Sequence, residues 1–253
     1  EIGVRLVGSE MCIRDRFYSA VFDALKDIFP SKIVHLGGDE APLEKTWEKC
    51  PLSVKYRQKK GMKDVHEELK EFEGKMASML AARGKRPQLW YEKPWAEAGI
   101  YRKGDTVFTW RMGLTPSTIT ETKKQGLRLI IAAGGHCYLD YPQIPGQDNR
   151  GWMPTTTLEQ SYKLDPAYGR PEKETDHIIG VQATMWAEQL PTLNHLLYRT
   201  YPRAMAIAEA GWTPMNVRSW DNFRRKVADH RAFVLKRFNY DLERTKENEP
   251  PFK

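Results

Sequence analysis

Five short apolar or β-rich runs, residues 32–36, 87–91, 106–110, 127–133 and 177–184, are each bounded by turn or charge signals and separated by segments of helical character. Strands that alternate with helices point to a parallel sheet of βα units, because a parallel connection needs a crossover long enough to hold a helix. Between the first two runs, Val65, Leu69, Phe72, Met76 and Leu80 recur at three- or four-residue spacing, so this segment reads as a long amphipathic helix. Residues 115–124 read as a short outer helix with Thr115 as N-cap and Pro116 in the first helical position. Residues 203–210 are rich in alanine, and Trp220, Phe223, Val227, Phe233 and Leu235 mark an amphipathic last helix.

A closed α/β barrel uses eight parallel strands and about 250 residues, whereas five strands are legible in these 253 residues. The expected fold class is therefore α/β, a partial (β/α)8 TIM barrel comprising about the last five βα units. Residues 5–16 (RLVGSEMCIRDR) show no clear period, and the patterned helix begins near Phe17 and runs through Phe22, Leu25 and Ile28. The expected division is a non-native or disordered leader over 1–16, resembling a translated adapter joined to a fragment, a partial catalytic barrel over 17–245, and a frayed tail over 246–253. Residues 141–176, with many prolines and no sustained period, read as one long loop.

The net charge of +7 arises from 40 basic and 33 acidic residues scattered along the chain, with no basic stripe carrying regular stacking aromatics. A solvated surface explains this, and no nucleic-acid partner is expected. Cys12, Cys50 and Cys137 form neither an even disulfide set nor a zinc-ligand spacing, so a disulfide framework is not expected; nor is any metal or cofactor. No apolar run approaches the roughly 20 residues of a membrane span.

Each strand ends in polar or aromatic residues: Asp39 and Glu40, then Trp90 and Glu92, Trp110 and Arg111, Tyr138 and Asp140, and finally Trp186 and Glu188. In a barrel these ends meet at one face. Aromatic walls with several acids suit a sugar, since flat rings stack on pyranose faces and carboxylates accept hydroxyl hydrogen bonds. Trp47, Trp95, Trp152, Trp212 and Trp220 read as core or interface packing, and His35 as a hydrogen-bonded core histidine.

Residues 35–40 (HLGGDE), with WYE at 90–92, TWR at 109–111, YLDY at 138–141, GVQATMWAE at 180–188 and YPRAMAIAEAGW at 201–212, resemble the family 20 glycoside hydrolases, the β-N-acetylhexosaminidases. The resemblance implies exo-acting, retaining hydrolysis of terminal non-reducing N-acetyl-β-D-hexosamine, in which the substrate's own 2-acetamido group is the nucleophile. It assigns Glu40 as the general acid and later base, Asp39 as the carboxylate that orients and stabilises the acetamido group, and Tyr138 as its hydrogen-bond partner. Trp90, Trp110 and Trp186 would box the acetamido methyl and sugar ring, and Asp140 and Glu188 would bind the distal hydroxyls.

The implied partner is an oligosaccharide ending in N-acetylglucosamine or N-acetylgalactosamine, and family habit suggests a periplasmic, secreted or lysosomal location. Five strands leave open sheet edges, so the chain taken alone is expected to be inactive or poorly soluble. The competing reading is a non-catalytic N-acetylhexosamine-binding protein or an inactive fragment. It fits less well because a binding module has no need of the Asp39–Glu40 pair.

Overall fold

The computed structural model describes residues 11–92, 101–146 and 153–238. The chain falls into two compact units, Glu1–Phe108 with Lys124–Arg128, and Thr109–Lys123 with Leu129–Lys253. The strands are β1 (Ile33–His35), β2 (Arg86–Trp90), β3 (Thr106–Thr109), β4 (Arg128–Ile131) and β5 (Ile178–Val181), ordered β1-β2-β3-β4-β5 in the sheet. Chain order and sheet order coincide, as they do in successive βα repeats. Each strand lies within the run expected for it or starts one residue earlier.

In the first unit β1, β2 and β3 pair in parallel, with Ile33 opposite Arg86 and Gln88 opposite Thr106. Helix α1 (Met11–Ile28) precedes β1, and α2 (Pro51–Lys60) and α3 (Val65–Ala81) fill the crossover to β2. Helix α3 starts where Asp64 accepts from the amides of His66 and Glu67, and its apolar stripe meets α1 through Phe22, Met76 and Leu80. Arg83, just beyond α3, ties the pair together by donating to both carboxylate oxygens of Asp23 and to the Ser19 hydroxyl.

Helix α1 already includes Met11, the first of the described residues and six residues before the expected start near Phe17. Within this stretch Arg14 and Asp15 meet α3: Lys75 pairs with Asp15, and the Arg14 guanidinium lies 4.8 Å above the Phe72 ring. The remainder of the expected leader, and the tail over 246–253, lie outside the described residues.

In the second unit β4 and β5 pair in parallel with a register shift between Leu129 and Ile130. Helix α4 (Thr115–Gln125) follows β3. Thr115 is not its N-cap: a 3-10 turn over Met112–Leu114 leads straight in, Thr115 is already helical, and its hydroxyl donates back to the Arg111 carbonyl at 3.0 Å.

The segment 141–176 is also more ordered than a loop reading allows, since it contains α6 (Leu158–Tyr162) and α7 (Glu172–Thr175), while 147–152 lie outside the described residues. Helix α6 is held by a capping box in which Thr157 and Gln160 each bond the other's amide. A further short helix, α5 (Gly134–Cys137), follows β4, and α8 (Leu193–Thr200), α9 (Arg203–Trp212) and α10 (Trp220–Phe238) close the chain. Tyr162, Ala206, Phe223 and Val227 form the apolar centre of these helices.

Trp47 and Trp220 pack beside buried clusters, as expected. Trp212 ends α9 with 89% of its surface exposed, so of the core or interface packing expected for it the core half does not hold. Trp95 and Trp152 lie outside the described residues. Apolar surface also stands open on the first and last strands of the sheet, at Ile33 (43% exposed) and Ile179 (44% exposed).

Candidate active site

The acid pair of the first unit sits just beyond β1. The ladder to β2 continues past the strand, with Leu36 N–H donating to Gln88 and Trp90 N–H donating to Gly37. The chain then turns through Gly37 at φ +79° and Gly38 at φ +91°. These conformations suit glycine, and they deliver Asp39, half-buried, and Glu40, exposed, at the strand end. Glu40 itself lies at φ +50°, a left-handed conformation that costs a non-glycine residue about 1 kcal/mol. Its amide donates to Glu92 Oε2 at 3.4 Å, so the two acids at the ends of β1 and β2 are linked.

Trp90 is 7% exposed and meets His35 and Phe108 edge-on, at centroid distances of 5.2 Å and 5.5 Å. His35 is not the core residue expected. Its ring leans on these aromatics on one side and is exposed on the other, and Nδ1 accepts from the Gly37 amide at 3.0 Å. Enclosure by its neighbours holds its pKa below the usual histidine value.

Glu73, on α3, is a residue that the motif reading passed over. The residue is 5% exposed, both carboxyl oxygens are buried, and neither has a hydrogen-bond partner among the described residues. Burial pushes its pKa up to about 7. It follows Leu69 by four residues on the apolar stripe, the one sequence signal that could have found it.

In the second unit Trp110, Tyr138 and Trp186 come together around Tyr138. The Trp110 ring stacks on Tyr138 at 6.2 Å and 25°, and Trp186 leans on it at 6.4 Å and 57°. Arg111 lies 4.2 Å above the Trp110 ring. The Trp110 indole N–H is buried without an acceptor among the described residues, which leaves a directed donor for a ligand oxygen. Trp186 is 40% exposed and can offer a face.

Tyr138 is held by a parallel bridge to Thr184, with Leu139 N–H donating to the Thr184 carbonyl at 2.8 Å. This turn carries Asp140 inward, where it is 1% exposed and both carboxylate oxygens are buried. Burial raises the Asp140 pKa to about 6, and Glu188 adds to the rise. The amides of Asp140 and Trp186 and the Arg203 guanidinium oppose it. Glu188 is exposed. Among the described residues no group of three or more His, Cys, Asp and Glu side chains is placed to hold a metal ion. No helix among them is long and apolar enough to cross a membrane.

The first unit thus gathers Asp39, Glu40, Trp90 and Glu92, and the second gathers Trp110, Tyr138, Asp140, Trp186 and Glu188. Paired acids can serve proton transfer and charge stabilisation, and aromatic faces beside a buried acceptor can hold a sugar.

Residues 10–215 match the catalytic domain of glycosyl hydrolase family 20. A β-hexosaminidase of Akkermansia muciniphila is 63% identical over 238 residues, covering 94% of this chain and 48% of the relative. A β-hexosaminidase of Porphyromonas gingivalis is 32% identical, covering 84% of this chain and 27% of the relative. Among solved structures, a β-N-acetylhexosaminidase at 63% identity superposes with a TM-score of 0.87 over 94% of this chain and 50% of that one. An exo-β-N-acetylglucosaminidase of Vibrio harveyi in complex with N-acetylglucosamine, 25% identical, gives a TM-score of 0.79 over 91% of this chain and 35% of that one. The chain spans about half the length, or less, of these relatives.

Proposed function

The chain belongs to glycosyl hydrolase family 20, and from that membership we propose that it carries the acid pair and sugar ligands of an exo-β-N-acetylhexosaminidase, as part of a polypeptide about twice its length. Glu40 protonates the glycosidic oxygen and then draws a proton from water. Asp39 orients the substrate's 2-acetamido group, whose carbonyl oxygen attacks the anomeric carbon with retention. The positive charge that develops on the acetamido-derived ring is stabilised by the Asp39 carboxylate. Tyr138 donates to the acetamido oxygen, while Trp90, Trp110 and Trp186 enclose the methyl group and ring. Asp140 and Glu188 accept from the distal hydroxyls.

The observation that carries this reading is the HLGGDE turn, in which two glycines at positive φ present both acids at one strand end. The ligand is a glycan with a non-reducing terminal N-acetylhexosamine.

The test is release of p-nitrophenol from p-nitrophenyl N-acetyl-β-D-glucosaminide by the longer polypeptide, with Glu40→Gln alongside. Losing a general acid should lower kcat by about 10²–10⁴-fold. A folded wild type that binds N-acetylglucosamine without releasing p-nitrophenol would favour a binding protein instead.

A further inference from the structure

Arg203 opens α9 with its side chain 0% exposed. Its guanidinium spends its donors on main-chain carbonyls. Nη1 donates to Thr156 at 2.9 Å, Nη2 to Leu139 at 2.6 Å and to Arg199 at 2.7 Å, and Nε to Arg199 at 3.2 Å. A charge buried this deeply is costly, and an apolar side chain of similar volume would fill the space with less desolvation. Retaining the cation therefore calls for a use, and the Leu139 carbonyl shows where it acts. That carbonyl belongs to the peptide linking Leu139 to Asp140, in the same turn whose Leu139 N–H is fixed by Thr184.

We propose that Arg203 is a positioning residue for Asp140: by donating to the Leu139 carbonyl it clamps the peptide that leads into Asp140. The assignment rests on the proposed role of Asp140 as a ligand for sugar hydroxyls.

The charged groups around Asp140 are Arg203 from α9, with Arg199 of α8 beside it, and Glu188 beyond β5. Arg203 and Asp140 perturb each other in the sense expected of an opposite-charge pair, against burial acting on both. The clamp fixes the direction of the Asp140 side chain. The charge favours its ionised form, which accepts hydroxyl hydrogen bonds and donates none.

The experiment compares Arg203→Lys, Arg203→Met, Asp140→Asn and the Asp140→Asn/Arg203→Lys double variant in the longer polypeptide. It reads KM and kcat on the p-nitrophenyl glucosaminide across pH and N-acetylglucosamine binding by calorimetry. Losing the fork should raise KM about tenfold in Arg203→Lys, roughly one charged hydrogen bond, with kcat changed far less. In Arg203→Met the acid limb of kcat/KM should move to higher pH, because the charge that lowers the Asp140 pKa is gone. Arg203→Lys should keep that limb in place.

On the Asp140→Asn background Arg203→Lys should add less than about twofold, since coupled residues do not act independently. A folded Arg203→Lys variant with wild-type KM, or effects that multiply in the double variant, would overturn the proposal. If Arg203→Met does not fold, the lysine cycle still decides. Failure of the hydrolase reading is separate: it appears as a wild type without turnover, and the Arg203 effect is then read in the binding constant.

Discussion

A Cβ on Gly38 would stand 2.8 Å from Glu73 Oε1 and 3.0 Å from Leu89 Cδ2, so the second glycine of the acid-bearing turn lies directly against a buried carboxyl of α3. The turn that presents Asp39 and Glu40 is therefore shaped from two sides. Its own positive φ disfavours a side chain, and the Glu73 carboxyl behind it would have to shift to admit one.

Gly38→Ala should disrupt this arrangement. At φ +91° an alanine is strained by about 1–3 kcal/mol before any contact is counted, and Glu73 must also move. The expected outcome is a lower melting temperature and a loss of kcat/KM of about tenfold or more on the p-nitrophenyl glucosaminide. The parallel variant Gly61→Ala has open space around its Cβ, so it should pay only the backbone cost and keep its activity.

Glu73 gives a pH-dependent stability. Its folded pKa of about 7 lies above the unfolded value of about 4.3. Below the lower value it is protonated in both states and contributes nothing to the pH dependence. Between the two values the unfolded chain releases the proton more readily, so stability falls as pH rises and the loss is complete above the folded pKa. The size is a few kcal/mol at most. Glu73→Gln should remove this slope, so urea midpoints of variant and wild type should diverge from pH 5 to pH 8 in the variant's favour. A constant gap across that range would show that Glu73 does not titrate in this window.

Trp186 separates sugar contact from core packing. With 40% of its surface exposed it contributes modestly to stability, so Trp186→Ala should shift unfolding by no more than about 1 kcal/mol. Loss of its face should raise KM about tenfold, the scale of an aromatic contact. A large drop in melting temperature with KM unchanged would return Trp186 to a structural role.

The parts of this structure that were legible in the sequence are those set by local pattern. The five strands follow from apolar runs with punctuation, and α3 follows from the spacing of Val65, Leu69, Phe72, Met76 and Leu80. The acid turn is legible because Gly37 and Gly38 interrupt a strand immediately before two acids.

What was hidden depends on tertiary partners. Residues 11–16 have no strong period, yet they are helical where Arg14 and Asp15 meet α3. Helix α6 depends on a capping box only five residues from its far end, too short for a hydrophobic period to develop. Thr115 carries an N-cap side chain, but the 3-10 turn before it has already made the residue helical. Glu73 and Arg203 are ordinary surface residue types whose burial appears only once the neighbouring strands and helices are in place.

On the proposed mechanism the acid pair is unequal: Glu40 moves the proton while Asp39 serves a nucleophile that belongs to the substrate. The most direct measurement compares kcat/KM of the longer polypeptide on p-nitrophenyl N-acetyl-β-D-glucosaminide and on the matching p-nitrophenyl β-D-glucoside, which lacks the acetamido group. The glucoside should be slower by at least about 10³-fold, since an intramolecular nucleophile of high effective molarity is lost. Comparable turnover of the two substrates, with a glycosyl group trapped on Asp39 or Glu40, would contradict it.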